Sequence, residues 1–308
     1  MFSFLPGWFF GLLAFLLYFV NTVLWIGLLL LAALVKILLP LSRWRQGCDD
    51  VILACGRRWI AGCNWLTATL YDIAWEIEGE APLDPQQWYL VVANHQSWVD
   101  VMVFMAVFGH RLPFPKVFSK REILWLPFIG AAVWALGFPL LKRYPQKLLE
   151  RRPELRGHDR EIARQACRRA TARPTTLVNF LEGTRLTPAK HAARHSPFRH
   201  LLPPRAGGVA LVDAVLGEKL AAVVDLTIVY PAGRPTFWHF LCGRVRRVTV
   251  RLREVPVPPA LRQGDYETDA GCRDGYQRWV TQLWQEKDVW MDAKSSGLPA
   301  ASGKAGKR

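Results

Sequence analysis

The chain has 308 residues, of which 51% are hydrophobic and 21% charged, and its 40 Lys+Arg against 25 Asp+Glu give a formal charge of +15. A mean hydropathy of +0.09 is too apolar for a disordered chain and too polar for a transporter buried mostly in the bilayer. The length suits one α/β domain with an appendage or two small domains, so the expectation is a folded body with a membrane attachment.

Between residues 2 and 40 the strongly polar side chains are Ser3, Asn21, Thr22 and Lys36, and the first acid is Asp49. Residues 1–40 therefore read as a membrane-embedded helical anchor. At about 1.5 Å per residue, residues 8–39 make roughly 48 Å of helix against a hydrocarbon thickness of about 30 Å. The segment tilts, bends near Asn21 or forms two short helices. Its start, Met-Phe-Ser-Phe-Leu-Pro, lacks the basic n-region of a signal peptide. Basic residues follow the apolar run at Lys36, Arg43, Arg45, Arg57 and Arg58. By the positive-inside rule they put the body on the cytoplasmic face of the inner membrane.

Residues 41–84 place Ile60, Trp65, Leu66, Leu70, Ile73 and Ala74 at roughly helical intervals and read as an amphipathic interfacial helix and connector. Residues 85–292 read as the folded body. It opens on an apolar run of strand length at 88–94, followed by a helix start at Ser97 and an apolar helix over 99–108. Three more strands are expected at 175–181, 222–230 and 247–255, separated by helical stretches over 158–173 and 206–220. A strand feeding a helix marks an α/β body. Tyr276, Trp279, Val280, Leu283 and Trp284 give an amphipathic helix over 270–292 whose aromatic stripe packs in the core. Residues 293–308 are small, polar and basic, and read as a disordered tail. The six cysteines form no CxxC and no zinc-ligand spacing, so they read as reduced packing thiols.

Residues 111–194 hold 18 Lys+Arg and only 6 Asp+Glu, so the middle of the chain faces something anionic. A solvated basic face on the helix near 160–173 accounts for much of this charge. No zinc-finger, KH or RNP motif is present to support nucleic acid, whereas anionic lipid headgroups explain the charge and the anchor together.

Three blocks carry candidate chemistry. Asn94-His95-Gln96-Ser97-Trp98-Val99-Asp100 puts a histidine at a strand end and a carboxylate in the first turn of the next helix. An acid bonded to one ring nitrogen fixes the tautomer and frees the other nitrogen to take a proton from a hydroxyl. Taken alone, the pattern also fits a capping Asp near a surface His. Asn179-Phe180-Leu181-Glu182-Gly183-Thr184-Arg185 sets backbone N–H groups beside an arginine, which suits a phosphate, with Lys190 adding to the field; a plain turn with a Glu182–Arg185 ion pair is the alternative. Lys120-Arg121 precedes the apolar run Leu124 to Gly130, cations beside a greasy surface, or a snorkelling pair at the interface. No GxSxG elbow or phosphate-binding glycine loop occurs. His191, His195 and His200 without a neighbouring HExxH acid rank below ordinary surface histidines as metal ligands.

In this order the blocks resemble the glycerolipid acyltransferase family, the lysophosphatidic acid acyltransferases and their relatives. The family's NHxxxxD is matched by Asn94, His95 and Asp100, and its KxxLxxxPxxG-like second motif resembles residues 120–130. Its FPEGTR is met by Phe180, Glu182, Gly183, Thr184 and Arg185 with Leu181 in place of proline. That FLEGTR form resembles the branch with lysocardiolipin- and lysophosphatidylinositol-acylating relatives. The fourth motif resembles Val229-Tyr230-Pro231, preceded by Leu202-Pro203-Pro204-Arg205.

The resemblance, covering residues 85–235, implies an α/β fold with a mixed sheet flanked by helices, carried by the N-terminal membrane-anchoring helical segment. It implies His95 as general base and Asp100 as its orienter. Lys120, Arg121, Glu182, Gly183, Thr184 and Arg185 would hold the acceptor's phosphate. The implied reaction moves an acyl group from acyl-CoA or acyl-carrier protein to a lysophospholipid in a phospholipid membrane, lysophosphatidic acid becoming phosphatidic acid, with no cofactor and no metal. Another headgroup, or a non-catalytic membrane scaffold of the same fold, is the alternative. Met102, Val103, Phe104, Ala106 and Val107 either line an acyl groove or pack in the core.

Overall fold

The structure is a computed structural model describing residues 6–38, 42–80, 83–109, 111–141 and 154–296. Two long helices lead, α1 (Gly7–Leu38) and α2 (Ser42–Leu70). Of the forms expected for the anchor, α1 takes the unbroken one. Asn21 and Thr22 do not interrupt it, because their polar groups find partners on α2. The Asn21 amide donates to the Trp59 carbonyl at 3.2 Å, and Trp59 Nε1 donates to Thr22 Oγ1 at 3.1 Å. Tyr18 meets Thr67 at one end and Lys36 meets Asp49 at the other, so the two helices run antiparallel.

The strands are β1 (Ala74–Glu78), β2 (Trp88–Ala93), β3 (Pro115–Val117), β4 (Ser119–Lys120), β5 (Leu140–Leu141), β6 (Thr176–Phe180), β7 (Leu220–Val229) and β8 (Arg247–Val255). Six of them form one sheet in the order β1-β8-β7-β2-β6-β3, and β4 pairs separately with β5. Every pairing in the large sheet is parallel except β7 with β8, so the sheet is mixed, as expected. The helices after α2 are α3 (Val99–Phe108), α4 (Ile129–Ala135), α5 (Glu154–Ala170), α6 (Pro188–Ala193), α7 (Gly207–Leu216), α8 (Phe237–Leu241), α9 (Pro259–Arg262) and α10 (Ala270–Ser296).

β2 reads as a near-continuous apolar run because both of its faces are covered. The pleat sends Tyr89, Val91 and Ala93 into a core shared with α1, α2, α3 and α8. Leu90 and Val92 enter the opposite core with α5, α7 and α10. Tyr276, Val280, Leu283 and Trp284 are core residues there, as their spacing predicts. The row on α3 is also core: Met102, Val103, Phe104 and Val107 are buried in the first cluster, so they line no acyl groove. The six cysteines are free and buried. Beneath β7, Lys287 of α10 is fully buried and ion-paired to Asp225 at 2.6 Å.

α1 docks along its length. Phe10, Gly11, Ala14, Tyr18, Ile26, Leu29 and Ala33 are buried at helical spacing, while Trp8, Leu12, Phe15, Phe19, Val23 and Leu31 on the other face are exposed. The buried face meets α8 near its start, where Gly11 lies against Trp238 and Cys242. Near its end it shares a cluster with Ala132 of α4. The helix is long and apolar enough to cross a membrane, and most of its surface lies outside the protein core.

Two stretches of the chain divide differently from the sequence reading. Ala74–Glu78, within the range read as connector, forms the edge strand β1 against β8. The last helix runs on to Ser296, and the rest of the basic tail lies outside the described residues, as do residues 1–5, 39–41 and 142–153.

Candidate active site

The parallel strands β7, β2, β6 and β3 end at one edge of the sheet, and the crevice outside such carboxyl ends is where α/β proteins bind ligands. His95 lies two residues beyond β2, and Glu182 two beyond β6. Asn94 extends the β2–β7 ladder with its side chain: its amide donates to the Ile228 carbonyl and accepts from the Ile228 N–H, both at 2.9 Å. The asparagine of the motif thus fixes where the histidine starts.

His95 Nδ1 sits 2.8 Å from Asp100 Oδ2. The same oxygen accepts the N–H groups of Gln96 at 2.7 Å and Ser97 at 2.9 Å, and Oδ1 accepts the Tyr230 hydroxyl at 2.7 Å. Asp100 is fully buried. A carboxylate only accepts, so Nδ1 carries the proton and Nε2 keeps its lone pair. The ring stacks on Phe180 at 4.2 Å between centroids, and 15% of the side chain stays exposed. Ser97 Oγ accepts from the Val99 N–H at 3.1 Å and donates to the Pro235 carbonyl at 2.7 Å, holding the start of α3.

Glu182, expected among the phosphate-holding residues, has no exposed surface. Oε1 accepts the His95 N–H at 3.1 Å and Oε2 the Leu202 N–H at 3.3 Å. Its place is to tie the histidine loop to the segment entering α7, not to touch a phosphate. Burial pushes its carboxyl up to about 8, against the opposing pull of those two N–H groups. Burial also pushes the Tyr230 hydroxyl well above its ordinary range, so it remains a donor to Asp100 at neutral pH.

Gly183 turns the chain at φ +67, which glycine adopts without strain. Past that turn, Arg185 stacks its guanidinium over Trp98 at 4.6 Å. Lys190 donates to Thr184 Oγ1 at 2.6 Å and to the Arg185 carbonyl at 3.3 Å. Arg194 donates to the Glu182 carbonyl at 3.0 Å. The first and third motifs therefore converge: His95, Asp100, Glu182, Gly183, Thr184 and Arg185 share one edge, with Arg185 against Trp98 of the histidine loop. Lys120 and Arg121 are exposed past β3, which lies two strands from β2 in the sheet. His191 and His200 spend ring nitrogens on the Phe198 carbonyl and Asp292.

Gly130, the last residue of the second motif, has a physical reason to be glycine. A Cβ there would lie 2.4 Å from the Leu124 carbonyl oxygen. Gly130→Ala is expected to cost about 1–3 kcal/mol through overpacking against backbone, read as a lowered thermal midpoint in detergent; an unchanged midpoint would show that the turn yields freely.

Tyr230 stands in the fourth motif, but its partner is not legible there, since it lies 130 positions from Asp100. Only the adjacency of β7 to β2 brings it to Asp100.

A family model described as Acyltransferase matches residues 74–231, a span that runs from β1 to the residue after Tyr230 and encloses all four motifs. The chain belongs to the acyltransferase family. Within it, the chain is 27% identical over 197 residues to 1-acyl-sn-glycerol-3-phosphate acyltransferase alpha of Ovis aries, covering 63% of this chain and 57% of that one. It is 26% identical over 217 residues to the gamma form of Mus musculus, 66% and 52%. It is 25% identical over 255 residues to lysocardiolipin acyltransferase 1 of Mus musculus, 75% and 62%. The chain spans little more than half the length of the first two relatives. The crystal structure of the 1-acyl-sn-glycerophosphate (LPA) acyltransferase PlsC from Thermotoga maritima shares the acyltransferase fold, with a TM-score of 0.53 at 16% identity over 92% of this chain and 95% of that one.

Proposed function

We propose that this protein is a membrane-bound enzyme that moves a fatty acyl group from an acyl thioester, acyl-CoA or acyl-carrier protein, to the free hydroxyl of a lysophospholipid, converting lysophosphatidic acid to phosphatidic acid. The observation that carries this reading is the His95–Asp100 pair: a fully buried carboxylate with four donors, bonded to Nδ1 of a partly exposed imidazole. Nε2 takes the hydroxyl proton as the acceptor oxygen attacks the thioester carbonyl carbon. The C–S bond then breaks, and the departing thiolate takes the proton back from the imidazolium. Asp100 stabilises the charged ring between these two steps.

Arg185, stacked on Trp98, and Lys190 supply cations for the acceptor's phosphate, and Lys120 adds a third from past β3. Glu182 and Gly183 shape the turn that presents them, with Thr184 held by Lys190. Arg121 lines a separate cavity.

The membrane reading follows from α1. A helix docked on the body from Phe10 to Ala33 turns its free apolar face to the bilayer, with enough length and apolar surface to embed in it. Arg43 and Arg45 follow it, and we place the body on the cytoplasmic face of the inner membrane. A different headgroup is favoured by two observations, Leu181 in the proline position and the likeness to lysocardiolipin acyltransferase 1. The intact His95–Asp100 pair speaks against a non-catalytic scaffold.

The test is acyl transfer from labelled acyl-CoA to a panel of lysophospholipids, using membranes bearing the native protein or His95→Ala. Native-only conversion of lysophosphatidic acid is the expected result, and native-only conversion of another lysolipid moves the headgroup. No conversion with either acyl-CoA or acyl-carrier protein overturns the enzyme reading in favour of the scaffold.

A further inference from the structure

A cavity of about 790 Å³ opens between the end of α1, the start of α2 and the edge strand β3. Among the described residues, five cations line it, Lys36, Lys116, Arg121, Arg169 and Arg173, against one carboxylate, Asp49. That carboxylate is already paired with Lys36 at 2.5 Å, and Arg173 pairs with Asp50 outside the lining. Arg121 and Arg169 have no ion-pair partner among the described residues. Lys116 donates to the Ala170 carbonyl at the end of α5, 2.9 Å away; an ammonium has three donors, so two remain. The other walls are apolar, with Ile52, Phe114, Leu136 and Phe138 among them.

This is not the acyl-transfer site. Lys116 is level with Leu177 in β6, which is level with Leu90 in β2, and His95 lies five residues further on. At about 3.3 Å per residue along a strand and about 4.8 Å between strands, the two places are roughly 19 Å apart. Exposed apolar residues rim this side: Trp134 on α4, and Trp125 and Phe128 just before it. α4 is itself packed on α1, sharing a cluster through Ala132, so these aromatics stand beside the helix assigned to the bilayer.

We propose that this cavity binds an anionic phospholipid drawn from the bilayer as a non-substrate ligand, its phosphate among Lys116, Arg121, Arg169 and Arg173 and its first acyl carbons on the apolar wall. An excess of cations in one cleft, with Arg121 and Arg169 free of ion pairs among the described residues, favours an anion, and the greasy wall beside them favours an amphiphile over free phosphate. The membrane side of the argument rests on the location given in the proposed function.

The test uses the full chain in neutral detergent micelles with labelled phosphatidylglycerol, and phosphatidylcholine as the comparison. Retention of phosphatidylglycerol near one per chain is expected, weakened about fivefold or more in Arg169→Gln and in Lys116→Met, and undiminished in His95→Ala. Arg169 is exposed, so its variant keeps the fold even where Lys116→Met does not. Equal retention of phosphatidylcholine, native retention in Arg169→Gln, or loss in His95→Ala would each overturn the proposal. Displacement by excess inorganic phosphate would make it a free-anion site and overturn the lipid. Catalytic failure of the native protein leaves these readings intact, so the two proposals fail separately.

Discussion

Replacing His95 with Ala is expected to lower kcat by about 10²- to 10⁴-fold, the usual contribution of a positioned general base, while KM for the lysolipid changes little. On the proposed reading the ring takes the hydroxyl proton, and the cations assigned to the phosphate, Arg185, Lys190 and Lys120, lie on other segments of the chain. Asp100→Asn separates charge from geometry. An asparagine flipped so that its oxygen occupies the Oδ2 position still accepts from His95, Gln96 and Ser97. Its amide nitrogen then faces Tyr230, whose hydroxyl can rotate to accept. The hydrogen-bond pattern survives and only the negative charge is lost. A hydrogen bond to a charged group is worth about 1.5–3 kcal/mol, so kcat is expected to fall roughly 10- to 160-fold. Steady-state kinetics on both variants checks this. Native turnover in His95→Ala would remove the mechanism, and a KM effect alone would make the pair a binding element.

Glu182→Ala is expected to damage the protein as a fold before it damages it as a catalyst. It strips the acceptor from two N–H groups, those of His95 and Leu202. At about 1–3 kcal/mol for each group left unpaired, the loss of about 2–6 kcal/mol is large against a typical stability of 5–15 kcal/mol. The wild-type residue also makes stability depend on pH. Its carboxyl is raised from 4.5 to about 8, chiefly by burial, so the folded state holds the proton more tightly than the unfolded chain. The stabilising contribution is therefore complete below about 4.5 and is lost as pH rises through about 8. Glu182→Gln cannot titrate and keeps one acceptor. Its thermal midpoint should start lower and fall less steeply over that pH window. Parallel pH slopes for the two proteins would show that Glu182 is ionised throughout.

Much of the sheet could be read from the chain because its central strands are apolar on both faces. β2, β6, β7 and β8 fall within two residues of the expected runs. β1 was not legible: Trp-Glu-Ile-Glu alternates as a strand does, but over four residues only, and it directly follows Ile73 and Ala74, which continue the helical spacing of the segment before it. β3, β4 and β5 are three residues or fewer, too short to show a period. At the site, His95 and Asp100 lie within one local motif, and their pairing is one of the two arrangements the five-residue spacing allows, the other being a capping Asp beside a surface His; the 2.8 Å contact decides between them. Glu182 was legible by type and not by direction. Beside a glycine and an arginine it looks like part of a phosphate turn, and only the fold shows its oxygens pointing inward to amides. The Tyr230 hydroxyl depends on which strand neighbours β2, a property of topology that no local window carries.

The lengthwise docking of α1 has a consequence for the whole membrane. On the proposed reading, an enzyme whose anchor packs along its own body from Phe10 to Ala33 works at one face of the bilayer, taking substrate from that layer and releasing product into it. On that reading each turnover would turn a one-chain lipid into a two-chain lipid there, so the near leaflet would gain area while the far leaflet would not. Balanced bilayer growth then depends on a separate route that carries lipid across.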